Sequence, residues 1–295
     1  MELPELSDNL TLESLERNGF SLLQLKDGFR YGTDTTLLAW YAASYIKRGS
    51  VKNKNKIVRA LELGSNVGAC SLLFAARFLD ILNTELKADG NLKAEDMADY
   101  LHLDSVEINT PSYEVLCRNI DNNGLCNIVA PHNCDLRDLP KAVRDLQYDI
   151  VFFNPPFFSR QNGPEAQAHA DSMNARLNGR FEENGNLNDF VEAAAKRVIP
   201  DGGYVVMIMQ GGRLQDALAS FRDNKLSPVS LMNIHPFVDK NASMFLLAGR
   251  RTSKKTDFKI QPPLILNTKN DASGDIMSSD AINRIYNEVH SNCFI

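Results

Sequence analysis

One short segment combines a carboxamide, two prolines and aromatic rings. Residues 149–158 read DIVFFNPPFF, so an apolar strand predicted over 148–153 ends at Asn154 and is followed by Pro155 and Pro156. Prolines fix φ and cannot donate to a ladder, so they would hold the Asn154 amide and the Pro155 carbonyl rigidly. Those two oxygens could accept both N–H groups of an aromatic amine, leaving its lone pair facing an electrophile. Phe157 could stack on a planar base.

A glycine-containing turn lies earlier in the chain. Residues 61–68 read LELGSNVG at a predicted strand-to-helix junction. Gly64 would allow a tight turn, and Gly68 would let the helix pack close to the strand, so that a cofactor could approach backbone N–H groups. The strict G-x-G-x-x-G fingerprint is absent, which argues against an ordinary dinucleotide site. The same glycines would also suit any tight strand-to-helix turn.

An acidic residue ends the next predicted strand. Glu107 follows the run 103–106, where a carboxylate can accept hydrogen bonds from both ribose hydroxyls of a nucleoside cofactor. It lies about 20 residues further from Gly68 than in the usual fingerprint, and a polar insertion at 83–102 accounts for the excess. The alternative is an acid that merely favours the N-terminus of the following helix.

The elements that position these residues alternate along the chain. Strands are predicted at 57–63, 103–108, 128–132, 148–153 and 204–209, and helices at 68–79, 111–123, 187–198 and 213–224. This alternation predicts an α/β fold with a doubly wound, mostly parallel sheet. Two late strands, 229–234 and 244–250, predict an antiparallel hairpin at one edge, giving seven strands in all.

The N-terminal part does not follow this alternation. A hairpin at 20–33, turning at Asp27-Gly28, and a helix at 35–45 predict a cap over residues 1–50. The second domain would then be 51–295, with a surface insertion at 83–102. The polar segment 159–186 directly follows the Asn-Pro-Pro-Phe motif, and a loop of that length is usually functional or mobile.

Composition limits the class of protein, its location and the kinds of site that it can carry. The chain has 295 residues, 43% of them hydrophobic, which is enough for a large core. With 32 basic and 37 acidic residues, the formal net charge of −5 gives no support to nucleic-acid binding, although a local basic face would suffice. Without an apolar run of about 18 residues or a secretion signal, we expect no membrane partner and a cytoplasmic location. The five scattered cysteines form no C-x-x-C pair, so no metal site is predicted.

The combination of motifs resembles the class I S-adenosyl-L-methionine-dependent methyltransferases that carry an Asn/Asp-Pro-Pro-aromatic motif. Within them, the chain is most similar to the bacterial family that methylates adenine N6 in valine tRNA. Residues 30–40, RYGTDTTLLAW, look like that family's N-terminal Gly-Thr-Asp segment, and the C-terminal run 263–266 before a predicted helix also fits. The resemblance implies a Rossmann-like methyltransferase fold and a monomer that acts on tRNA or another structured RNA.

The resemblance also implies roles for individual residues. The implied catalytic residues are Asn154, Pro155, Pro156 and Phe157. The implied contacts to S-adenosyl-L-methionine are Arg30, Gly32, Thr33, Asp34, Glu62, Gly64, Asn66, Gly68, Glu107, Asp135 and Asn154. From the residues alone, Arg30 could equally be a surface charge and Asp34 an N-cap of the 35–45 helix.

The sequence departs from the family at four places, one of which is the unusual insertion at 83–102. Asn66 replaces the usual second glycine, Phe157 replaces the common tyrosine, and Ala175-Arg176 lies later than the family's Ala-Arg pair. Alternative substrates are guanine N2 in ribosomal RNA and a glutamine amide in release factors, and a non-enzymatic alternative is an inactive cofactor-binding module. Basic residues that could hold an RNA backbone are Lys47, Arg48, Lys52, Lys54, Arg176, Arg180, Arg250, Arg251, Lys254 and Lys255.

Overall fold

The computed structural model describes residues 9–28, 30–46, 56–88, 92–156, 185–269 and 275–287. Its strands are β1 Leu10–Ser14, β2 Ser21–Leu25, β3 Val58–Leu63, β4 Leu101–Glu107, β5 Val129–Asn133, β6 Ile150–Phe153, β7 Tyr204–Gln210, β8 Leu226–His235, β9 Met244–Arg251, β10 Lys259–Ile260, β11 Leu264–Ile265, β12 Asn267–Lys269 and β13 Ile276–Ser278. Its α-helices are α1 Thr33–Ser44, α2 Ala69–Glu85, α3 Thr110–Asn122, α4 Lys141–Arg144, α5 Leu187–Arg197, α6 Leu214–Asp223 and α7 Asp280–Asn287. Short 3-10 helices span Ala94–Asp99 and Gly211–Arg213.

The central sheet has the predicted architecture. Its main strands run in the order β5-β4-β3-β6-β7-β9-β8. Neighbours from β5 to β7 pair in parallel, and β9 is antiparallel to both β7 and β8. The predicted α/β class, mostly parallel sheet and antiparallel edge hairpin are therefore confirmed. Two-residue strands β10 and β11 also pair with β8, and they are too short to show a periodicity in the sequence.

Strand β6 is held from both faces of the sheet. Ile150 and Phe152 join the core cluster that contains α1, α2 and α3, whereas Val151 and Phe153 join the cluster that contains α5 and α6. The Phe152 ring stacks on Phe74 at a centroid distance of 4.9 Å. This alternation follows from the two-residue period of a strand buried on both faces. The backbone position of Asn154, which directly follows β6, is therefore well fixed by the packing of this strand.

The N-terminal hairpin lies earlier than predicted. It pairs β1 with β2, and its turn contains Asn18 and Gly19, both at positive φ. The predicted turn at Asp27-Gly28 instead leads from β2 towards α1, with the Gly28 N–H donating to Leu25 O at 3.2 Å. Asn-Gly and Asp-Gly dipeptides both favour tight hairpin turns. The predicted turn at Asp27-Gly28 is therefore wrong, and the hairpin turns at Asn18-Gly19 instead.

The ends of the segment 83–102, predicted to be a surface insertion, belong to regular elements of the fold. Helix α2 continues to Glu85, β4 begins at Leu101, and Met97 between them is fully buried. The predicted domain boundary at residue 50 falls outside the described residues. The hairpin and α1 share one core cluster with α2 and α3, so in the described residues the cap packs directly on the sheet domain. No helix in these ranges is long and apolar enough to cross a membrane.

Candidate active site

Three of the predicted site elements meet at the carboxyl edge of the sheet. Leu63, the last residue of β3, pairs with Phe153 of β6 and with Val106 of β4. Gly64, Glu107 and Asn154 therefore lie side by side where three parallel strands end. In open α/β sheets this edge is where ligands bind.

The loop from Gly64 to Gly68 has the conformation that its glycines permit. Gly64 and Gly68 have φ of 72° and 88°, and a Cβ on Gly68 would lie 2.4 Å from Leu116 Cδ1. Asn66 has φ of 50°, in the left-handed region that asparagine tolerates better than most residues. The departure at Asn66 therefore leaves the backbone path of the loop available. The hydroxyl of Ser65 in this loop is buried and, among the described residues, has no hydrogen-bond partner.

Glu107 ties the loop to β4 and keeps acceptor capacity. Its Oε2 accepts from the Asn66 N–H at 2.7 Å and its Oε1 from the Asn109 N–H at 2.7 Å. Burial raises the pKa of Glu107, and the backbone donors of Asn109, Asn66 and Ile108 oppose that effect. A carboxylate offers about four lone-pair sites, so about one remains for a ligand hydroxyl.

Glu62 belongs to a different environment. Its side chain is 3% exposed and accepts a hydrogen bond from Ser71 Oγ of α2, which in turn lies 2.6 Å from Ser105 Oγ. Burial raises the pKa of Glu62 to about 8, the Ser71 hydrogen bond opposes this, and the nearby Glu107 adds to it. Glu62 thus links β3 to α2 through its hydrogen bond with Ser71. A contact between Glu62 and the cofactor stays a prediction.

Asn154 has one partner and one open acceptor. Its Nδ2 donates to Asp34 Oδ2 at 3.0 Å. Its Oδ1 is buried and has no hydrogen-bond partner among the described residues. Such a group costs about 1–3 kcal/mol unless something donates to it, so its presence at a ligand-binding edge points to an N–H or O–H of a ligand. Pro155 is buried beside it.

The N-terminal Gly-Thr-Asp segment reaches this edge. Gly32 is the N-cap of α1, Thr33 its first residue, and Asp34 lies in the first turn. Asp34 is therefore not the N-cap that was the alternative interpretation of this residue. The structure brings it to Asn154, a contact that no pattern in the sequence indicates. Arg30 forms an ion pair with Glu13 of the hairpin.

Of the remaining predicted residues, Asp135 already has a partner within the chain, and several of the others lie outside the described residues. Asp135 follows β5, but its carboxylate accepts from Arg137 Nε at 2.9 Å and from the Arg137 N–H at 2.8 Å. Its contact with the cofactor stays a prediction. Phe157 and the Ala175-Arg176 pair lie outside the described residues, as do six of the basic residues suggested for RNA: Lys47, Arg48, Lys52, Lys54, Arg176 and Arg180.

The four described basic residues lie at the other edge of the sheet. Because β9 is antiparallel to β7, its end lies beside Tyr204, the start of β7. The Arg250 guanidinium stacks 5.0 Å from the Tyr204 ring centroid, and Arg251 Nη1 donates to Ala195 O at 3.3 Å. Lys254 and Lys255 continue beyond that end. These residues do not line the carboxyl edge at which Asn154 lies.

Within the described ranges, no group of three or more His, Cys, Asp or Glu side chains is placed to hold a metal ion. The carboxyl edge offers hydrogen bonding by Asn154, Glu107, Ser65 and the backbone of the loop from Gly64 to Gly68.

Comparisons with known proteins bear on the fold. No family model matches the chain, and no curated protein matches it. Among solved structures, a predicted O-methyltransferase from Agrobacterium tumefaciens aligns with a TM-score of 0.56 and 16% identity over 86% of this chain and 96% of the other. The methyltransferase subunit of a type I restriction-modification system from Streptococcus thermophilus aligns with a TM-score of 0.53 and 13% identity, over 88% of this chain and 53% of that subunit. The chain therefore shares the Rossmann-like α/β fold of these two methyltransferase structures.

Proposed function

We propose that the protein transfers a methyl group from S-adenosylmethionine to an exocyclic amine, and that this amine is N6 of an adenine in tRNA. The observation that carries the proposal is the buried Oδ1 of Asn154 at the carboxyl edge of the sheet, which no group in the described residues donates to. An amine N–H is a donor that suits this acceptor. The fold supports the cofactor class, and the Asn-Pro-Pro-Phe motif supports the acceptor class.

The cofactor-binding part of the proposal rests on Glu107 and the glycine loop. After accepting from the backbone of Asn66, Asn109 and Ile108, Glu107 has about one acceptor site left for a ribose hydroxyl. The Ser65 hydroxyl, which has no partner among the described residues, and the backbone of the loop offer further polar contacts. When bound, S-adenosylmethionine supplies an electrophilic methyl group, so that an N–C bond forms as an S–C bond breaks.

The protein's part in the reaction is positioning. Asn154 Oδ1 and the Pro155 carbonyl oxygen accept the two N–H groups of the amine, which directs its lone pair along the transfer line. The amine releases a proton to water after the attack, so no strongly basic side chain is needed. Holding reactants in a near-attack geometry contributes several kcal/mol to catalysis.

The choice of tRNA adenine rests on the resemblance of residues 30–40 and 154–157 to the adenine-N6 family. The target base must leave its stack, and this costs least in an unpaired loop. With a net charge of −5 and the described basic cluster at the far edge, we expect RNA affinity to be modest and salt-sensitive. Filter binding to unmodified tRNA between about 50 and 200 mM salt tests this, and salt-independent binding would contradict it.

Nucleoside mass spectrometry tests the reaction itself. Total tRNA and rRNA from cells lacking the protein are incubated with S-adenosylmethionine and either the unmutated protein, Asn154→Ala or the control Asn283→Ala, which changes an exposed asparagine of α7. We expect N6-methyladenosine in tRNA from the unmutated protein and the control only. N2-methylguanosine in rRNA would replace the proposed substrate, and so would a methylated glutamine found by peptide mass spectrometry of release factors incubated in parallel. A protein that binds cofactor but methylates none of these would be a binding module.

A further inference from the structure

We propose that Asp34 is a positioning residue that sets the orientation of the Asn154 side-chain amide. Asn154 Nδ2 donates to Asp34 Oδ2 at 3.0 Å, while Asn154 Oδ1 has no partner among the described residues. The inference rests on the proposed amine methylation, because it concerns which end of the amide meets the amine. It differs from the cofactor contact that the resemblance implies for Asp34.

The two ends of a carboxamide have opposite hydrogen-bonding roles. Its NH2 group donates and its oxygen accepts, whereas an ionised carboxylate only accepts. Asp34 therefore holds the NH2 end and leaves the oxygen end open. The flipped amide would place its oxygen against the Asp34 carboxylate and present N–H groups to the N–H groups of the amine. Both contacts would be repulsive, so Asp34 selects the orientation that the proposed reaction needs.

Asp34 is itself fixed by helix α1. Its Oδ1 accepts from the Thr35 N–H at 2.9 Å, which leaves Oδ2 for Asn154. The following residues of α1, from Thr35 to Ala43, are all buried. The N-terminus of a helix favours a negative charge through its dipole. The carboxylate is thus an anchored acceptor rather than a mobile surface charge.

The N-cap of α1 keeps this approach open. A Cβ on Gly32 would lie 3.1 Å from Asp34 Oδ1, which is closer than ordinary van der Waals contact. A larger residue at position 32 would therefore push on the carboxylate that holds Asn154. Through the hydrogen bond between Asp34 and Asn154, the N-terminal cap contributes to the site without touching the reacting atoms.

The isosteric variant Asp34→Asn tests the proposal, because the carboxamide that it introduces can donate or accept and no longer selects one orientation of Asn154. We expect its turnover to fall about 10- to 100-fold, with S-adenosylmethionine affinity within about threefold and with an unchanged melting temperature. The control Asp280→Asn removes an acid from the first turn of α7 and should leave turnover unchanged. A loss of cofactor affinity in Asp34→Asn that matches the loss of turnover would overturn the proposal.

A double-mutant cycle separates positioning from a general structural role. If Asp34 acts through Asn154, adding Asp34→Asn to Asn154→Ala should cause no further loss of turnover. Losses that multiply in the double variant would overturn the proposal, because Asp34 would then act independently of Asn154.

A measurement without turnover keeps the inference separate from the proposed function. In protein labelled with ¹⁵N at asparagine, the side-chain N–H signals of Asn154 are identified by their absence in Asn154→Ala. We expect one of them to be shifted by the carboxylate and to move in Asp34→Asn but not in Asp280→Asn. Signals that ignore the Asp34 change would overturn the inference. If the signals move but no substrate is methylated, the contact stands and the proposed function fails.

Discussion

Asp104, within a strand of the sheet, and Asn154, at the end of a neighbouring strand, both have buried polar atoms, but only Asp104 is fully hydrogen-bonded. Asp104, in the middle of β4, accepts from Tyr148 OH at 2.8 Å and lies 2.6 Å from His132 Nε2 and 3.0 Å from His102 Nε2. Asn154, at the carboxyl edge, has an Oδ1 with no donor in the described residues. A completed network stabilises the fold, whereas an open acceptor costs free energy that a donor from a ligand would offset. We infer that Asp104 serves stability and Asn154 serves function.

The largest expected effect comes from removing the open acceptor. Asn154→Ala should lower single-turnover methyl transfer by at least about 10²-fold, because the amine loses its positioning contact. Cofactor affinity should stay within about threefold, or under about 1 kcal/mol, since we expect the cofactor to be held mainly through Gly64–Gly68 and Glu107. Single-turnover rates and calorimetric titration on the same preparations measure both. Near-normal methyl transfer by Asn154→Ala would contradict the inference that Asn154 serves function.

A second prediction concerns the other edge residue with spare acceptor capacity. Glu107→Gln keeps the size of the side chain but loses the charge and one acceptor. We expect S-adenosylmethionine affinity to weaken by about 1.5–3 kcal/mol, the range for hydrogen bonds to charged groups. Calorimetric titration measures the change, with circular dichroism to establish that the variant is folded. Unchanged affinity in a folded variant would exclude Glu107 from the cofactor site.

The third prediction tests the stabilising half of the comparison. Burial alone would raise the pKa of Asp104, but the hydrogen bonds from His102, His132 and Tyr148 outweigh burial and lower it to about 2. A carboxyl with a depressed pKa contributes stability above its ordinary pKa of about 4, and this contribution is lost as the pH falls towards 2. The shift corresponds to about 2 kcal/mol.

Asp104→Asn should therefore lower the free energy of unfolding by about 2 kcal/mol at a pH of about 7, and the difference from the unmutated protein should shrink as the pH falls from about 4 to 2. Denaturant titrations across this pH range measure it, and transfer rates of the folded variant should not change. A folded Asp104→Asn protein with slowed transfer would place Asp104 in the functional region instead.

The sequence predicts much of this architecture and little of the long-range hydrogen bonding. Alternating strands and helices identify the sheet, and residues at strand ends, such as Glu107 and Asn154, follow from where parallel strands stop. The contact between Asp34 and Asn154 joins two segments of unrelated local pattern, so no spacing rule could reveal it. The same holds for Asp104, whose partners come from two strands and a loop. The position of the hairpin was predicted wrongly because Asn18-Gly19 and Asp27-Gly28 offer equivalent turns.

Glu62 provides a third case for the comparison, because it is enclosed like Asp104 but carries a raised pKa. Burial raises that pKa to about 8, so the folded protein retains a proton that the unfolded chain releases above a pH of about 4.5. A carboxyl with a raised pKa contributes stability that is complete below its ordinary pKa and is lost as the pH rises through about 8. The free energy of unfolding should therefore fall by about 1.4 kcal/mol per pH unit from this group between a pH of about 5 and about 8.

The last prediction concerns the change that Glu62→Gln makes to this pH dependence. The variant is a neutral isostere of the protonated side chain, so it should lack the dependence and gain on the unmutated protein as the pH rises. Denaturant titrations of both proteins between a pH of about 6 and about 8 measure the difference, with Glu192→Gln as a control at a partly exposed site of α5. If the pH dependences of the two proteins are parallel, Glu62 is ionised in the folded protein. Glu62 would then be a charged side chain, like Glu107 at the carboxyl edge, and not a neutral buried one.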